Sequence, residues 1–258
     1  MQYNVAMANS TEIYLADNHL MIKTAYGDPA MHSHRAAHLI ISTTNQLEVV
    51  TDNSTIAAAG VLIPSGVSHT VKSLGSPLLV FMFDDTTTAA AAIKELQILD
   101  TKTATQITEL YKSVDKENPD NTTEKLNKYE QFFTKVSELT NLGMTGCRVT
   151  DERIIDTMKF VDDNIKDGIT ESQAAGRLFL SDSRFSHLFK SQTGISFAGY
   201  VILRRMYKTY ILLSQGMSIT DASVEAGFSS PSHFAGLNKK LFGINAGSLS
   251  EGLKVYTR

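Results

Sequence analysis

Residues 183–196 read SRFSHLFKSQTGIS and residues 232–245 read SHFAGLNKKLFGIN. At a constant offset of 49, Phe185 falls on Phe234, Leu188 on Leu237, Lys190 on Lys239, Gly194 on Gly243 and Ile195 on Ile244. Each copy follows a short apolar helix and a small turn: Ala174 to Leu178 before Phe179-Leu180-Ser181, and Ala222 to Ala226 before Gly227-Phe228-Ser229. The scaffold segments repeat at about 48 rather than 49, so the second turn holds one extra residue, near Ser230-Pro231. Two helices joined by a tight turn, then repeated, are an arrangement suited to the grooves of DNA.

Working outward, Ser196 to Gly216 between the two copies reads as one longer helix ended by glycine. About eighteen helical residues give roughly 27 Å at 1.5 Å per residue. Recognition helices at its two ends would then approach the roughly 34 Å of one DNA turn. Upstream, Asp151 to Asn164 predicts a helix whose apolar face is Ile154, Ile155, Met158 and Val161. The aperiodic stretch 143–150, with Gly143 and Gly146, is the expected linker. Residues 151–258 are thus expected to form an all-α DNA-binding domain with two helix-turn-helix units joined by a long helix.

The first eighty-odd residues behave differently. Short apolar or β-branched runs at Glu12–Leu15, Leu20–Thr24, His38–Ser42, Leu47–Thr51, Gly60–Ile63, Thr70–Lys72 and Leu78–Phe83 are separated by Gly-Asp-Pro, Asp-Asn-Ser and Pro-Ser-Gly turns. Such runs predict the strands of a sandwich or barrel over 1–87. From Thr88 to Val114 and from Thr122 to Leu142 the apolar spacing turns helical, with stripes at Ile93, Leu96, Ile107, Leu110 and Val114, then Leu126, Tyr129, Phe133 and Val136. Residues 88–142 are expected to form a helical hairpin, packed on its own strands or on a second copy of the protein as a homodimer. The fold class is α+β.

A chain of 258 residues with 42% hydrophobic and 20% charged residues is long and apolar enough for two domains with proper cores. It has no apolar run near eighteen residues and no signal-peptide pattern, so a cytoplasmic protein without a membrane partner is expected. The single cysteine, Cys147, agrees with a reducing compartment. Net charge is −3, but it is unevenly spread. Residues 1–147 hold ten Lys/Arg against sixteen Asp/Glu, a net of −6, whereas 168–258 hold ten against five, a net of +5. Phosphate binding depends on local positive charge, so the asymmetry points to two parts with different partners.

The C-terminal residues resemble the DNA-binding domain of the AraC/XylS family of bacterial transcription regulators over about Ile154 to Leu253. The likeness is carried by Ala175, Ser181, Phe185-Ser-His-Leu-Phe-Lys, Gly194-Ile-Ser, Tyr200, Arg205-Met206 and Leu212-Leu213. It continues through Ile219-Thr-Asp, Gly227-Phe228, Ser232-His-Phe234 and Phe242-Gly243-Ile244. Double-stranded DNA is then the implied partner, with RNA polymerase a further one. Phe185, Leu188, Phe189, Phe234 and Leu237 are spaced to face a core, which leaves Ser183, Arg184, Ser186, His187 and Lys190 exposed in the first unit and Ser232, His233 and Lys239 in the second. The resemblance implies that 183, 186 and 187 meet base edges while Lys190 sits near phosphate. Ser and His hydrogen-bond bases without the bidentate guanine contact of arginine. The chain departs from the family at Ser223, Gly236 and Asn238, and after Gly243, where the usual proline is missing. These departures predict a degenerate second unit.

In the strand region, His32-Ser-His34-Arg-Ala-Ala-His38 is followed by Pro64-Ser-Gly66-Val-Ser-His69. This is similar to the two metal-binding motifs of cupin barrels, with His38 in place of the usual glutamate, and it implies that residues 1–87 form a cupin-like, effector-binding β-barrel. Alternation puts His32 and His34 on one face. The resemblance leaves two occupants open for His32, His34, His38 and His69. One is a transition metal in an all-imidazole site; the other is a small organic effector without metal, as in regulators that use such a barrel as a sensor. The function expected is a non-enzymatic, effector-responsive transcription regulator. The alternatives are a metal-dependent cupin enzyme and a regulator whose barrel only dimerises.

Overall fold

Strict alternation along the first strands builds a sheet with two unlike faces. The computed structural model describes residues 11–16, 19–24, 31–44, 46–116, 122–143, 146–242 and 253–257. Strands β1 (Glu12–Ala16), β2 (His19–Thr24), β3 (Ala36–Ser42), β4 (Leu47–Thr51), β5 (Thr55–Ala58), β6 (Gly60–Ile63), β7 (His69–Lys72) and β8 (Leu78–Asp84) come first. Helix α1 (Thr88–Ala92), strand β9 (Gln97–Ile98), α2 (Thr101–Lys116) and α3 (Thr122–Leu139) follow. The C-terminal part holds α4 (Glu152–Asp163), α5 (Glu171–Arg177), α6 (Asp182–Thr193), α7 (Phe197–Ser214), α8 (Ile219–Glu225) and α9 (Pro231–Phe242), and ends in β10 (Lys254–Thr257).

One sheet has the order β10-β1-β2-β8-β3-β6-β9 and the other β5-β4-β7. On the large sheet Tyr14, Met21, Leu39, Ile41, Phe81 and Phe83 face α2 and α3. The alternate residues Ile13, Leu15, Ile22, Ile40, Val80 and Met82 face inward, toward Leu47, Val49 and Val71 of the small sheet. Both faces are covered, which is why these strands read as nearly continuous apolar runs. The N-terminal part is an open two-sheet sandwich rather than a closed barrel. The antiparallel bridge between His32 and His69 joins the segment before β3 to β7.

The helical signal expected from Thr88 to Val114 is interrupted. Helix α1 stops at Ala92, and Gln97–Ile98 pairs with β6 instead. Leu99 N–H donates to Gly60 O at 3.0 Å. A Cβ on Gly60 would lie 2.9 Å from Leu99, so the glycine admits this crossing, and β9 covers the edge that β6 would otherwise expose. Strand β5 was not legible either, because its residues alternate only between exposed and half-buried. The Gly-Asp-Pro turn at 27–29, the hairpin turn at 117–121, Met144-Thr145 of the expected linker, and Gly243 and Ile244 of the second repeat lie outside the described residues, as do residues 1–10.

The helical part has two cores of different ownership. Ile154, Val161, Ala174, Ala175, Phe185, Phe189, Phe197 and Tyr200 form a closed cluster around the first helix-turn-helix. The second unit has no such independence: Met206, Tyr210, Ala222, Phe228 and Phe234 are continuous with the interior of the sandwich. Strand β10 strengthens this union. It runs parallel to β1, with Tyr14 opposite Tyr256 and their rings 4.8 Å apart. Lys125 stands over the Tyr256 ring at 4.4 Å, so the end of the chain is held by the N-terminal sheet and α3 together.

Candidate nucleic-acid interface and sensor cavity

Each helix-turn-helix is fixed by caps visible in its sequence. Thr170 and Gln173 form a capping box at the start of α5. The Ser181 hydroxyl accepts from Arg184 N–H at the start of α6, and Gly194 closes that helix in the left-handed region at φ 80. In the second unit Ser218 caps α8, and the Ser230 hydroxyl accepts from His233 N–H at 3.1 Å. The extra residue expected near Ser230-Pro231 is present: residues 178–181 separate α5 from α6, whereas 226–230 separate α8 from α9.

With Phe185 and Phe189 fully buried, the first turns of α6 present Ser183, Arg184 and His187 outward, with Ser186 half-buried beside them. Ser232, His233 and Lys239 are exposed on α9. The His233 ring stands edge-on to Phe228, with Nδ1 3.0 Å from the Ser229 hydroxyl. Lys190 is exposed too, but it lines the cavity between the two halves of the chain. The unusual residues of the second unit are accommodated. Asn238 is fully buried and accepts from the Tyr210 hydroxyl at 2.5 Å, and the buried Ser223 hydroxyl donates to Thr220 O at 3.0 Å. The positive charge is also apportioned. Arg204 is held by both carboxylate oxygens of Asp162, at 2.6 and 3.0 Å, and Arg177 lies over the Phe160 ring. Arg184, Lys190, Lys208, Lys239 and Lys240 remain on the exposed surface.

The four histidines converge. His69 and His32 exchange backbone hydrogen bonds at 2.9 and 3.0 Å, and His34 O accepts from Gly66 N–H at 2.9 Å. This brings one ligand nitrogen each of His32, His34 and His69 within 4.8 Å of the others. His38 stands behind them on β3, its Nε2 2.9 Å from Nε2 of His34, so it pairs with a member of the trio instead of completing it. Val67 O, 2.9 Å from His69 Nδ1, accepts a hydrogen bond from that nitrogen and leaves Nε2 as the lone-pair nitrogen. Burial holds His34 down to about 3, helped by His69 and His32, and pushes His38 and His69 below the usual imidazole value. All three are therefore neutral at physiological pH. Neutral imidazoles are the form that ligates transition metals or accepts hydrogen bonds. The Nδ1 atoms of His34 and His38 are buried without a hydrogen-bond partner, which leaves bonding capacity inside the sandwich.

His34 also opens onto a cavity of about 410 Å³ between the sandwich and the helices. Its N-terminal wall is Ser33, His34, Arg35, Ala36 and Met82. The opposite wall comes from α6, the turn after it, α7 and α9, through Lys190, Ile195, Ile202, Leu203, Leu237, Lys240 and Leu241. Three cations, Arg35, Lys190 and Lys240, thus border a space whose remaining lining is mainly apolar, with Ser33, His34 and Ser196 the polar exceptions. Sequence reasoning found His34 and Lys190 but assigned them to different sites. Their meeting depends on how the second helix-turn-helix packs on the sandwich, and no spacing in the sequence encodes that.

Fold and site together define a β-rich N-terminal part, enclosing a histidine cluster, joined to a doubled helix-turn-helix domain. Residues 174–251 match the family model described as a helix-turn-helix domain. The chain is 36% identical over 86 residues to the virulence regulon transcriptional activator VirF of Yersinia enterocolitica and to the thermoregulatory protein LcrF of Yersinia pestis. These matches span 33% of this chain and 32% of each relative, about a third of their length. Over nearly the whole chain the fold is similar to that of ToxT from Vibrio cholerae. An apo ToxT variant superposes with a TM-score of 0.57 at 13% identity, covering 90% of this chain and 97% of that one. Unsaturated fatty acid bound ToxT gives 0.53 at 14%, covering 97% and 98%. No helix among the described residues is long and apolar enough to cross a membrane.

Proposed function

We propose that this protein is a non-enzymatic, cytoplasmic transcription regulator that reads double-stranded DNA with α6 and α9 under the control of a small molecule bound between its two halves. The observation that carries the reading is the shared cavity: its walls belong to the β sandwich on one side and to the C-terminal ends of both recognition helices on the other. A ligand there touches sensor and reader at once, so its affinity depends on their relative placement, which is what population shift requires. Three cations around a mainly apolar space fit an apolar carboxylic acid. ToxT, of similar fold, has been seen with an unsaturated fatty acid. Lys190 then has two uses, pairing with the effector's carboxylate or with DNA phosphate, and binding of one ligand weakens the other.

The test is a thermal-shift and DNA-binding titration with monounsaturated fatty acids. The reading expects a raised melting temperature, an altered affinity for DNA, and loss of both effects in Arg35→Ala and Lys240→Ala. A fatty acid that leaves melting and DNA affinity unchanged removes this effector class. Steep loss of DNA affinity with salt, at roughly 0.9 log units per phosphate contact, separates a DNA reader from a cupin enzyme. Dimerisation through the α2–α3 hairpin and contact with RNA polymerase complete the proposal. A sandwich that only dimerises would bind no small molecule.

A second reading of the sandwich rests on His32, His34 and His69, whose ligand atoms lie within 4.8 Å of one another. A transition metal held by His32, His34 and His69 fits this donor set, with His38 supporting His34 from behind. Metal analysis of untagged protein decides it: the expected result is a stoichiometric metal lost in His34→Ala and His69→Ala.

A further inference from the structure

The turn between α5 and α6 contains a residue that the fold itself does not favour. Phe179 is 97% exposed and adopts φ +56, in the left-handed region that disfavours side chains. The backbone there is a helix cap: Phe179 N–H donates to Gly176 O at 3.1 Å and Leu180 N–H to Ala175 O at 3.0 Å. The second unit makes the same cap at the same spacing. Gly227 N–H donates to Val224 O at 2.9 Å and Phe228 N–H to Ser223 O at 3.0 Å, with Gly227 at φ +91. The turn therefore demands a left-handed residue, and the second copy meets that demand with the residue type that adopts it most easily. At Gly227 a Cβ would come within 2.6 Å of Ile165 O, so glycine is enforced there. At 179 a benzyl group is carried in the strained conformation and set into water, where it gains almost no packing. Neither local conformation nor the core accounts for phenylalanine.

Phe179 lies two residues before Ser181, the N-cap of α6, whose first turn carries Ser183 and Arg184. In a docked helix-turn-helix the start of the second helix enters the major groove while the first helix crosses the backbone, so the turn joining them borders the groove. The apolar feature available at that border is the 5-methyl group of thymine. We propose that Phe179 is a specificity-determining DNA contact that packs on a thymine methyl at the edge of the half-site read by α6. This extends the reader from the polar face of α6 into the turn before it, and it rests on the reading of α6 as a recognition helix.

The experiment begins with a duplex selected from a randomised pool by the full-length protein. Wild type, Phe179→Gly and Phe179→Asn are titrated on it at fixed salt, with their melting curves recorded. Asparagine is included because it tolerates the left-handed region. Both variants are expected to melt at or above the wild-type temperature and to bind roughly ten-fold more weakly. Replacing one particular thymine with deoxyuridine should weaken the wild type by a similar factor and leave the variants unaffected. Wild-type affinity in both variants, or equal sensitivity of all three proteins to every deoxyuridine replacement, overturns the contact while leaving the recognition helix in place. Failure of the wild type to select any duplex overturns the recognition helix and the contact with it.

Discussion

Tyr210 on the long helix α7 donates its hydroxyl to Asn238 on α9 at 2.5 Å, inside a core where both residues are fully buried. Asparagine in a core slot of α9 predicts a desolvation cost, and Tyr210 offsets it while fixing how α9 seats on α7. Tyr210→Phe removes that donor and should lower unfolding stability by about 1–3 kcal/mol. In a double-mutant cycle with Asn238→Leu the second change should cost less than it does alone. Denaturant unfolding of the four proteins checks this, and strictly additive losses would show that the pair is not coupled.

Two glycines of the second unit should respond in opposite directions. A Cβ on Gly236 meets nothing within 4 Å, and the residue lies on the exposed face of α9. Gly236→Ala is expected to raise stability by roughly 1 kcal/mol through helix propensity alone. Gly227→Ala meets Ile165 O at 2.6 Å from a left-handed backbone and should be strongly destabilising. Melting temperatures of the two variants give the comparison directly.

Acid should unfold the metal-free protein through its buried histidines. Burial holds His19 and His34 down to about 3, from an ordinary value of 6.5, and His38 is also well below 6.5. The folded state keeps these rings neutral while the unfolded chain takes up protons below 6.5. Their stabilisation is therefore complete above pH 6.5 and falls as the pH drops toward 3, by on the order of 1 kcal/mol per pH unit for each ring. Asp84, whose carboxyl is raised by burial, acts in the opposite sense. Chemical denaturation at several pH values checks the slope, and His19→Phe, which removes a ring paired with the Tyr129 hydroxyl, should flatten it.

The two helix-turn-helix units are expected to divide the work. The first has a core of its own, whereas the second shares its core with the sandwich and carries Gly236 on its exposed face. Ser186→Ala and His187→Ala should relax operator preference, while Ser232→Ala and His233→Ala weaken binding about equally across sequences. Competition binding against scrambled duplexes measures this. Full preference in the first pair with loss in the second reverses the assignment.

Deleting residues 254–258 should loosen the union of the two halves. Strand β10 covers the β1 edge and sets the Tyr256 ring against Tyr14. The truncated protein is expected to melt several degrees lower and to expose β1 to protease, as limited digestion will show.

Residue pattern alone determined a good deal. The 49-residue repeat and the long helix ended by Gly216 are local signals, because helices and turns are set by neighbours within a few positions. Seven of the N-terminal strands were legible for the same reason, through short β-branched runs between turns. The clustering of His32, His34 and His69 is what the resemblance to the cupin motifs implied, although His32 and His34 lie before β3 and not on a strand of it. Tertiary structure alone decided the rest. It set His38 behind His34, broke the helix expected after Thr88 so that Gln97–Ile98 could cover β6, and carried Lys254–Thr257 back to β1. It also brought Arg35, Lys190 and Lys240 around one cavity. Each of these depends on surfaces distant in the chain, where the free energy comes from covering an edge or an apolar face with whatever element can reach it.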